Sequence, residues 1–104
     1  MAKFVFAYRG GGMAETEEAQ KAAMDAWMGW FGQLGDAIVD GGNPFGPAKT
    51  VASDGSSSDG GQAGLSGYSI VDADSLAAAA DLAKGCPVLA SGGSVDVYET
   101  IDVM

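Results

Sequence analysis

Residues 27–47, WMGWFGQLGDAIVDGGNPFGP, restrict the possible folds of this chain more than any other stretch. Aromatic and apolar residues recur there at the spacing of one helical face as far as Leu34. Gly35 then supplies the left-handed residue at which helices commonly end. A short β-branched stretch follows, and the prolines at positions 44 and 47 stop any further helix and remove backbone donors. The stretch therefore predicts a helix, a strand and a turn in direct succession.

The sequence on either side predicts further strands and a second helix. Asp74 is the expected cap of the second helix, Leu76, Ala79, Ala80 and Ala83 are its expected buried stripe, and Gly85 with Pro87 is its expected stop. Residues 54–64, DGSSSDGGQAG, carry no apolar anchor and predict an exposed, mobile hairpin connection. The expected elements are a strand at 3–9, a helix from 15 or 16 to about 34, a strand at 37–42, an extended segment at 50–53, a strand at 65–71, a helix at 74–84 and a strand at 94–103.

This order, β-α-β-β-α-β, predicts an α+β fold with an antiparallel sheet and a ferredoxin-like topology. All 104 residues form a single domain in this interpretation. Two helices can cover only one face of the sheet, whereas residues 3–9 are apolar on both faces. Because a second apolar face is too large for a soluble monomer to expose, we expect sheet-to-sheet homodimerisation.

Charge and residue usage exclude several classes of function. Five Lys and Arg against fourteen Asp and Glu give a formal charge of -9, which repels nucleic acid. The chain has no histidine, which removes Ser-His-Asp, Cys-His and His-based zinc chemistry. No apolar run approaches the ~20 residues of a membrane span, and no signal-peptide pattern is present. A cytoplasmic protein is expected, and its one cysteine, Cys86, is expected to be buried and inert.

Two carboxylates are the candidate catalytic groups. Asp40 precedes a glycine-lined turn, where it either acts as a general base or merely caps the turn. Strict alternation places Glu99 on the same strand face as Val97 and Ile101, where an unpaired carboxylate is costly. Either a bulge or an edge position relieves Glu99, or it is buried beside Arg9 or Lys3 as a candidate acid or base.

Aromatic and polar side chains are the candidate ligand contacts, and the two tryptophans fit either a packed core or the wall of a cleft. Asp54, Ser56, Ser58 and Asp59 alternate like calcium ligands but lack the glycine and distal glutamate of an EF-hand, so no metal site is expected. The candidate ligand-binding residues are Tyr8, Arg9, Trp27, Trp30, Asn43 and Tyr68.

The order of several short motifs resembles that of the YCII-related (YciI-like) proteins over nearly the whole chain. The motifs are the aromatic helix ending in Leu34-Gly35, residues 38–44 (IVDGGNP), residues 67–71 (GYSIV), the alanine helix opened by Asp74, and residues 85–87 (GCP) followed by residues 92–97 (GGSVDV). The resemblance implies a dimeric α+β barrel of ferredoxin-like subunits and a pocket near Trp27, Trp30, Asp40, Asn43 and Pro44. Many members carry a histidine on the first helix, where this chain offers Asp25 or Trp27, so the family's suspected His-Asp chemistry does not carry over.

Two functions follow as hypotheses. The first is a homodimer that binds a small organic anion in a cleft between the first helix and the sheet, with Arg9 holding the anion. A carboxylate there makes cofactor-free isomerase or lyase chemistry conceivable. The second is a non-catalytic module that serves dimerisation or protein interaction, which the lack of histidine favours.

Overall fold

The computed structural model of the chain describes residues 2–10, 16–60 and 64–102. Its strands and helices are β1 (Ala2–Arg9), α1 (Glu17–Leu34), β2 (Ile38–Asp40), β3 (Lys49–Val51), β4 (Ser57–Asp59), β5 (Leu65–Ala73), α2 (Leu76–Ala83), α3 (Pro87–Ala90) and β6 (Ser94–Glu99). A 3-10 turn (Gly35–Ala37) joins α1 to β2. In this part of the chain, no helix combines the length and the apolar character that crossing a membrane requires.

Four strands form one antiparallel sheet in the order β2-β5-β1-β6. The predicted α+β class and antiparallel sheet are thereby confirmed, and the strand order is compatible with a ferredoxin-like fold. The long strands β1 and β5 lie in the centre, and the short β2 and β6 lie at the edges. Strands β3 and β4 pair only with each other, as a separate two-stranded hairpin inserted between β2 and β5.

Local sequence signals set both ends of α1 as predicted. The Thr16 hydroxyl accepts a hydrogen bond from the Ala19 amide at 3.0 Å, which satisfies one of the free donors at the helix start. Gly35 follows the last helical residue with φ 54°. In that conformation a side chain would be strained, so the predicted glycine stop is confirmed. The alternative start at Glu15 lies outside the described residues.

The second half of the chain departs from the sequence prediction in four places. Ser75, not Asp74, caps α2, because its hydroxyl accepts from the Ala78 amide at 3.1 Å. Leu76 is the first residue of α2 and is exposed, so its predicted burial is wrong. A short helix that was not predicted, α3, begins at Pro87, since proline suits the first helical turn. Strand β6 ends at Glu99, and Ile101 lies beyond it, exposed.

The core lies on one face of the sheet only. Phe4, Phe6 and Tyr8 alternate along β1 and are all buried, and Val71 of β5 lies directly opposite Phe4. All three helices contribute to the cluster, through Trp30, Leu34, Ala79, Ala83 and Val88. The helices therefore occupy the same side of the sheet.

The other face of the sheet, called the open face below, carries residues of β1, β5 and β6 that alternate with the core residues. Register places Val5 beside Ile70 and Tyr98, and Ala7 beside Tyr68. Val5, Tyr68 and Ile70 are only partly buried, and Tyr98 is exposed over 57% of its surface. The predicted second apolar face is therefore present, and no helix covers it among the described residues.

The turn after β2 depends on one glycine. Gly42 has φ +73°, and a Cβ at this position would collide with the Tyr68 carbonyl oxygen. We expect Gly42→Ala to lower the free energy of unfolding by at least about 2 kcal/mol, because it adds backbone strain to a steric clash.

The matched control is Gly46→Ala in the same turn, where a Cβ meets nothing within 4 Å. We expect Gly46→Ala to change the free energy of unfolding by less than about 0.5 kcal/mol. Urea denaturation followed by circular dichroism measures both. Equal effects of the two substitutions would contradict the role assigned to Gly42.

Candidate functional site

The predicted space between the first helix and the sheet is filled by aromatic rings. The ring of Trp27 meets the Tyr8 ring edge-on with centroids 4.9 Å apart, and it lies 5.7 Å from Trp30. Trp30 stacks on Phe6 at 6.0 Å and is only 3% exposed. Phe31 lies beside both tryptophans. Tyr8, Trp27 and Trp30 thus come together as predicted candidates, but they pack against one another and, in the part of the chain that the structure describes, leave no cleft between α1 and the sheet.

A short chain of hydrogen bonds satisfies the polar groups beneath these rings. The Tyr8 hydroxyl donates to Ser69 Oγ at 2.6 Å, and Ser69 Oγ donates to the Gly41 carbonyl at 2.7 Å. The Trp30 Nε1 donates to the Leu82 carbonyl at 3.1 Å. Burial raises the pKa of Tyr8, more than the Ser69 hydrogen bond lowers it, so the phenol stays protonated. These bonds join β1, β5 and the turn after β2, and they link α1 to α2.

Asp40 and Asn43 serve the geometry of the turn after β2. An Asp40 carboxylate oxygen accepts from the Gly42 amide at 2.8 Å, which is the capping role left open by the sequence. The Asn43 carbonyl accepts from the Tyr68 amide at 3.4 Å. Both side chains are exposed and lie on the edge formed by β2.

Arg9 and Tyr68 lie on the open face, on the opposite side of the sheet from the tryptophans. The Arg9 Nε donates to an Asp96 carboxylate oxygen at 2.7 Å across β1 and β6. Tyr68 stacks on Phe45 with ring centroids 5.8 Å apart. Neither side chain therefore shares a cavity with Trp27 and Trp30.

Glu99 is the last residue of β6 and lies opposite Phe4. It is exposed, since β6 is an edge strand, and this edge position relieves the cost predicted for a carboxylate on the apolar face. Asp40 lies on the other edge, three strand spacings away, or about 14 Å. The two candidate carboxylates therefore do not converge on one bound molecule.

The described residues form one concavity that the sequence did not predict. It is a groove of about 740 Å³ between α1 and the corner formed by α2 and α3. Small residues form its α1 side, including Ala22, Ala26 and Gly29, and the flanks of Trp27 and Trp30 reach its base. Gln33, Lys84 and Ser91 add polar groups. Three alanines of α1 beside its core stripe were the available sequence signal for this groove. Helix α3, which forms part of the other side, was not predicted.

Cys86 also borders the groove and is 3% exposed. Burial raises the pKa of its thiol to about 11, so the reactive thiolate is scarce near neutral pH. The predicted burial of Cys86 is confirmed, and the raised pKa agrees with the expected low reactivity. Within the described residues, no three Cys, Asp or Glu side chains are arranged to hold a metal ion.

We expect Tyr8→Phe to lower the free energy of unfolding by about 1–2 kcal/mol, because buried Ser69 loses its donor. Tyr98→Phe is the control on an exposed tyrosine, and it should change the free energy of unfolding by less than about 0.5 kcal/mol. The deficit of Tyr8→Phe should shrink above about pH 10, where unfolded Tyr8 ionises and folded Tyr8 does not. Urea titrations at pH 7 and pH 10.5 measure this, and a deficit that grows with pH would contradict it.

In comparisons with known proteins, no family model matches this sequence and no curated protein matches it. The resemblance to the YCII-related proteins stays a prediction from the motifs quoted above. The residues themselves, and the surfaces on which the fold places them, therefore carry the functional argument.

Proposed function

We propose that this protein is a self-associating, non-catalytic binding module that forms a homodimer through its open face. The observation that carries this proposal is the apolar centre of that face. Val5, Tyr68 and Ile70 lie side by side there on the two central strands, with Tyr98 at the edge. Burying such a patch against a second sheet about 10 Å away is favourable at roughly 25 cal/mol per Å² of apolar surface.

The charge distribution supports a second copy as the partner. The chain carries a formal charge of -9, so two copies repel each other in most orientations. On β1, β5 and β6, however, the open face carries two positive residues, Lys3 and Arg9, and two negative ones, Asp72 and Asp96. Lys3 lies opposite Asp72, and Arg9 pairs with Asp96 at 2.7 Å. The part of the open face formed by β1, β5 and β6 is therefore locally neutral, and Asp40 of β2, opposite Ile70, adds one negative charge at its edge. That near balance favours contact between two copies of an acidic protein at this face.

The positions of the candidate carboxylates favour association over catalysis. A general base must lie within hydrogen-bond distance of the proton that it removes. Asp40 is engaged with the Gly42 amide on one edge, and Glu99 is exposed on the other. The YCII-related resemblance agrees with this proposal, because it implies a dimeric α+β barrel in which two sheets face each other.

We expect Ile70→Lys to raise the dimer dissociation constant at least about tenfold, equivalent to about 1.4 kcal/mol. The substitution places an unpaired charge at the centre of the buried interface. Tyr98→Lys, at a more exposed position of the same face, should act in the same direction without disturbing the fold. Sedimentation equilibrium of parent and variants at micromolar concentrations measures the dissociation constants.

Leu76→Lys is the matched control, since Leu76 is an exposed apolar residue on the helical side. We expect this control to leave the dissociation constant within about twofold of the parent. A parent that stays monomeric up to millimolar concentration would refute the proposed homodimer.

The groove between α1 and the corner formed by α2 and α3 favours a second candidate function, the binding of a small aromatic anion. Trp27 and Trp30 supply aromatic surface at its base, and Lys84 supplies a positive charge at its rim. The Lys84 ammonium is also 2.9 Å from an Asp81 oxygen, and this exposed pair leaves the cation accessible. This site replaces the predicted helix-to-sheet cleft, which the aromatic rings fill.

We expect 8-anilinonaphthalene-1-sulfonate, an aromatic sulfonate probe, to bind in this groove. Ala26→Leu fills the groove and should weaken binding at least about fivefold, equivalent to about 1 kcal/mol. Ala19→Leu makes the same change on α1 away from the groove and should leave binding unchanged. Fluorescence titration gives both dissociation constants, and equal affinity of the two variants would exclude this groove as the binding site.

A further inference from the structure

We infer that the β3–β4 hairpin is an arm that packs on a second copy of the chain through the side bearing Val51. The ribbon arm is defined as residues 48–60, which comprise β3, its tip and β4. This inference rests on the homodimer proposed above and names a further part of its interface. The sequence alone predicted an extended segment at 50–53 and an exposed, mobile hairpin connection at 54–64.

The ribbon arm projects from the body of the molecule. Every residue from position 43 to position 59 is exposed, including all of β3 and β4. The radius of gyration is 15.1 Å, whereas a compact domain of this length has about 13 Å. The chain therefore extends a structured segment into solvent instead of folding it onto its own core.

The ribbon arm is nevertheless well specified by its sequence. The Gly55 amide donates to the Ala52 carbonyl at 2.9 Å, and Gly55 has φ 89°, as a three-residue hairpin loop requires. An Asp54 oxygen accepts from the amide and the hydroxyl of Ser56, and these bonds lower the pKa of Asp54. The strands pair in register, and Lys49 meets Asp59 at 3.2 Å. Such detailed turn chemistry indicates a defined surface.

Among the described residues, no other strand pairs with this ribbon, and both of its strands are exposed. Isolated two-stranded hairpins are marginally stable at best in water, and exposed edges invite further pairing. Val51 is 68% exposed, and the ion pair of Lys49 with Asp59 is exposed and contributes little. Another surface that covers Val51 would supply the missing stabilisation.

The position of the arm's root identifies a second copy as that surface. Phe45 stacks on Tyr68, which belongs to the open face, and the Phe45 amide donates to the Ser66 carbonyl at 2.9 Å. The chain then leaves the sheet through Gly46 and Pro47. A partner sheet packed on the open face therefore lies beside the base of the ribbon arm.

The size of the open face supports the same partner. Four strands spaced by about 4.8 Å and about 22 Å long give a planar footprint of roughly 400 Å². A stable interface buries about 800 Å² of accessible surface on each partner, so contacts of the ribbon arm would add to the limited area that a four-stranded sheet offers. Of the nine residues from position 47 to position 55, the last few form the turn, so the arm reaches about 20 Å, comparable with a partner sheet about 19 Å wide. The arm therefore supplies the additional contact area.

Hydrogen exchange of the full chain at two concentrations tests this inference directly. Exchange is measured by mass spectrometry about tenfold above and about tenfold below the dimer dissociation constant. We expect peptides from the ribbon arm to exchange at least about twofold more slowly at the higher concentration, together with peptides from β1 and β5. Arm exchange independent of concentration in a protein that does dimerise would overturn the inference and leave the homodimer standing.

A pair of variants in β3 tests the side of the arm that makes the contact. Val51→Asp should raise the dimer dissociation constant at least about tenfold by sedimentation equilibrium. Thr50→Asp adds the same charge on the opposite side of the same strand and should change it less than about threefold. Equal effects of the two variants, or none from Val51→Asp, would overturn the assignment of Val51. A parent without any dimer would refute the homodimer itself and, with it, the arm contact.

Discussion

The packing of Trp30 is the interaction on which the rest of this structure depends. Its ring lies against Phe6 of the sheet, and its indole nitrogen donates to the Leu82 carbonyl of α2. One side chain thereby fixes α1 to the sheet and to the second helix at the same time. Burying a tryptophan is favourable because of its large apolar area, and the hydrogen bond removes the cost of its polar nitrogen. The same packing fills the space where a ligand would otherwise enter between helix and sheet.

That packing also leaves the opposite face of the sheet without cover. α1, α2 and α3 all contribute to one core cluster, so their apolar surfaces all pack on the same side of the sheet. Val5 and Ile70 nevertheless carry apolar side chains on the other side of the central strands. In a monomer these side chains stay only partly buried, whereas a second sheet packed on them would cover them. The pairing of Lys3 with Asp72 and of Arg9 with Asp96 keeps the centre of this face free of the strong negative charge that the chain carries as a whole.

Periodicity and end signals predicted the central part of the fold. The spacing of Trp27, Trp30 and Leu34 gave α1, and Thr16 and Gly35 gave its ends, because capping is a local interaction. The short elements α3 and β4 escaped prediction because periodicity needs several residues. Helix α3 has four residues and β4 has three, too few for any period to emerge. Which of two neighbouring polar residues caps α2 depends on backbone geometry that the sequence does not specify.

The candidate site was harder to predict because it depends on long-range arrangement. The sequence identified the tryptophans and the carboxylates by residue type, and the structure brings Trp27, Trp30 and Tyr8 together. Strand order, however, separates Asp40 from Glu99 by the width of the sheet. A pattern within one strand cannot reveal which edge that strand will occupy. Residue types alone therefore could not place the two candidate carboxylates relative to each other.

The hairpin of β3 and β4, inserted between β2 and β5, bears on the proposed function. Residues 46–64 lie between β2 and β5, which pair with each other in the sheet. A connection of that length in a small domain is commonly functional. A connection that only had to close the turn would need two to five residues. This chain instead adds a ribbon with a defined tip, and places its root against Tyr68 on the open face. Within the described part of the chain, the core cluster contains no residue of this segment, so the homodimer that we propose is the setting in which the segment would gain stabilising contacts.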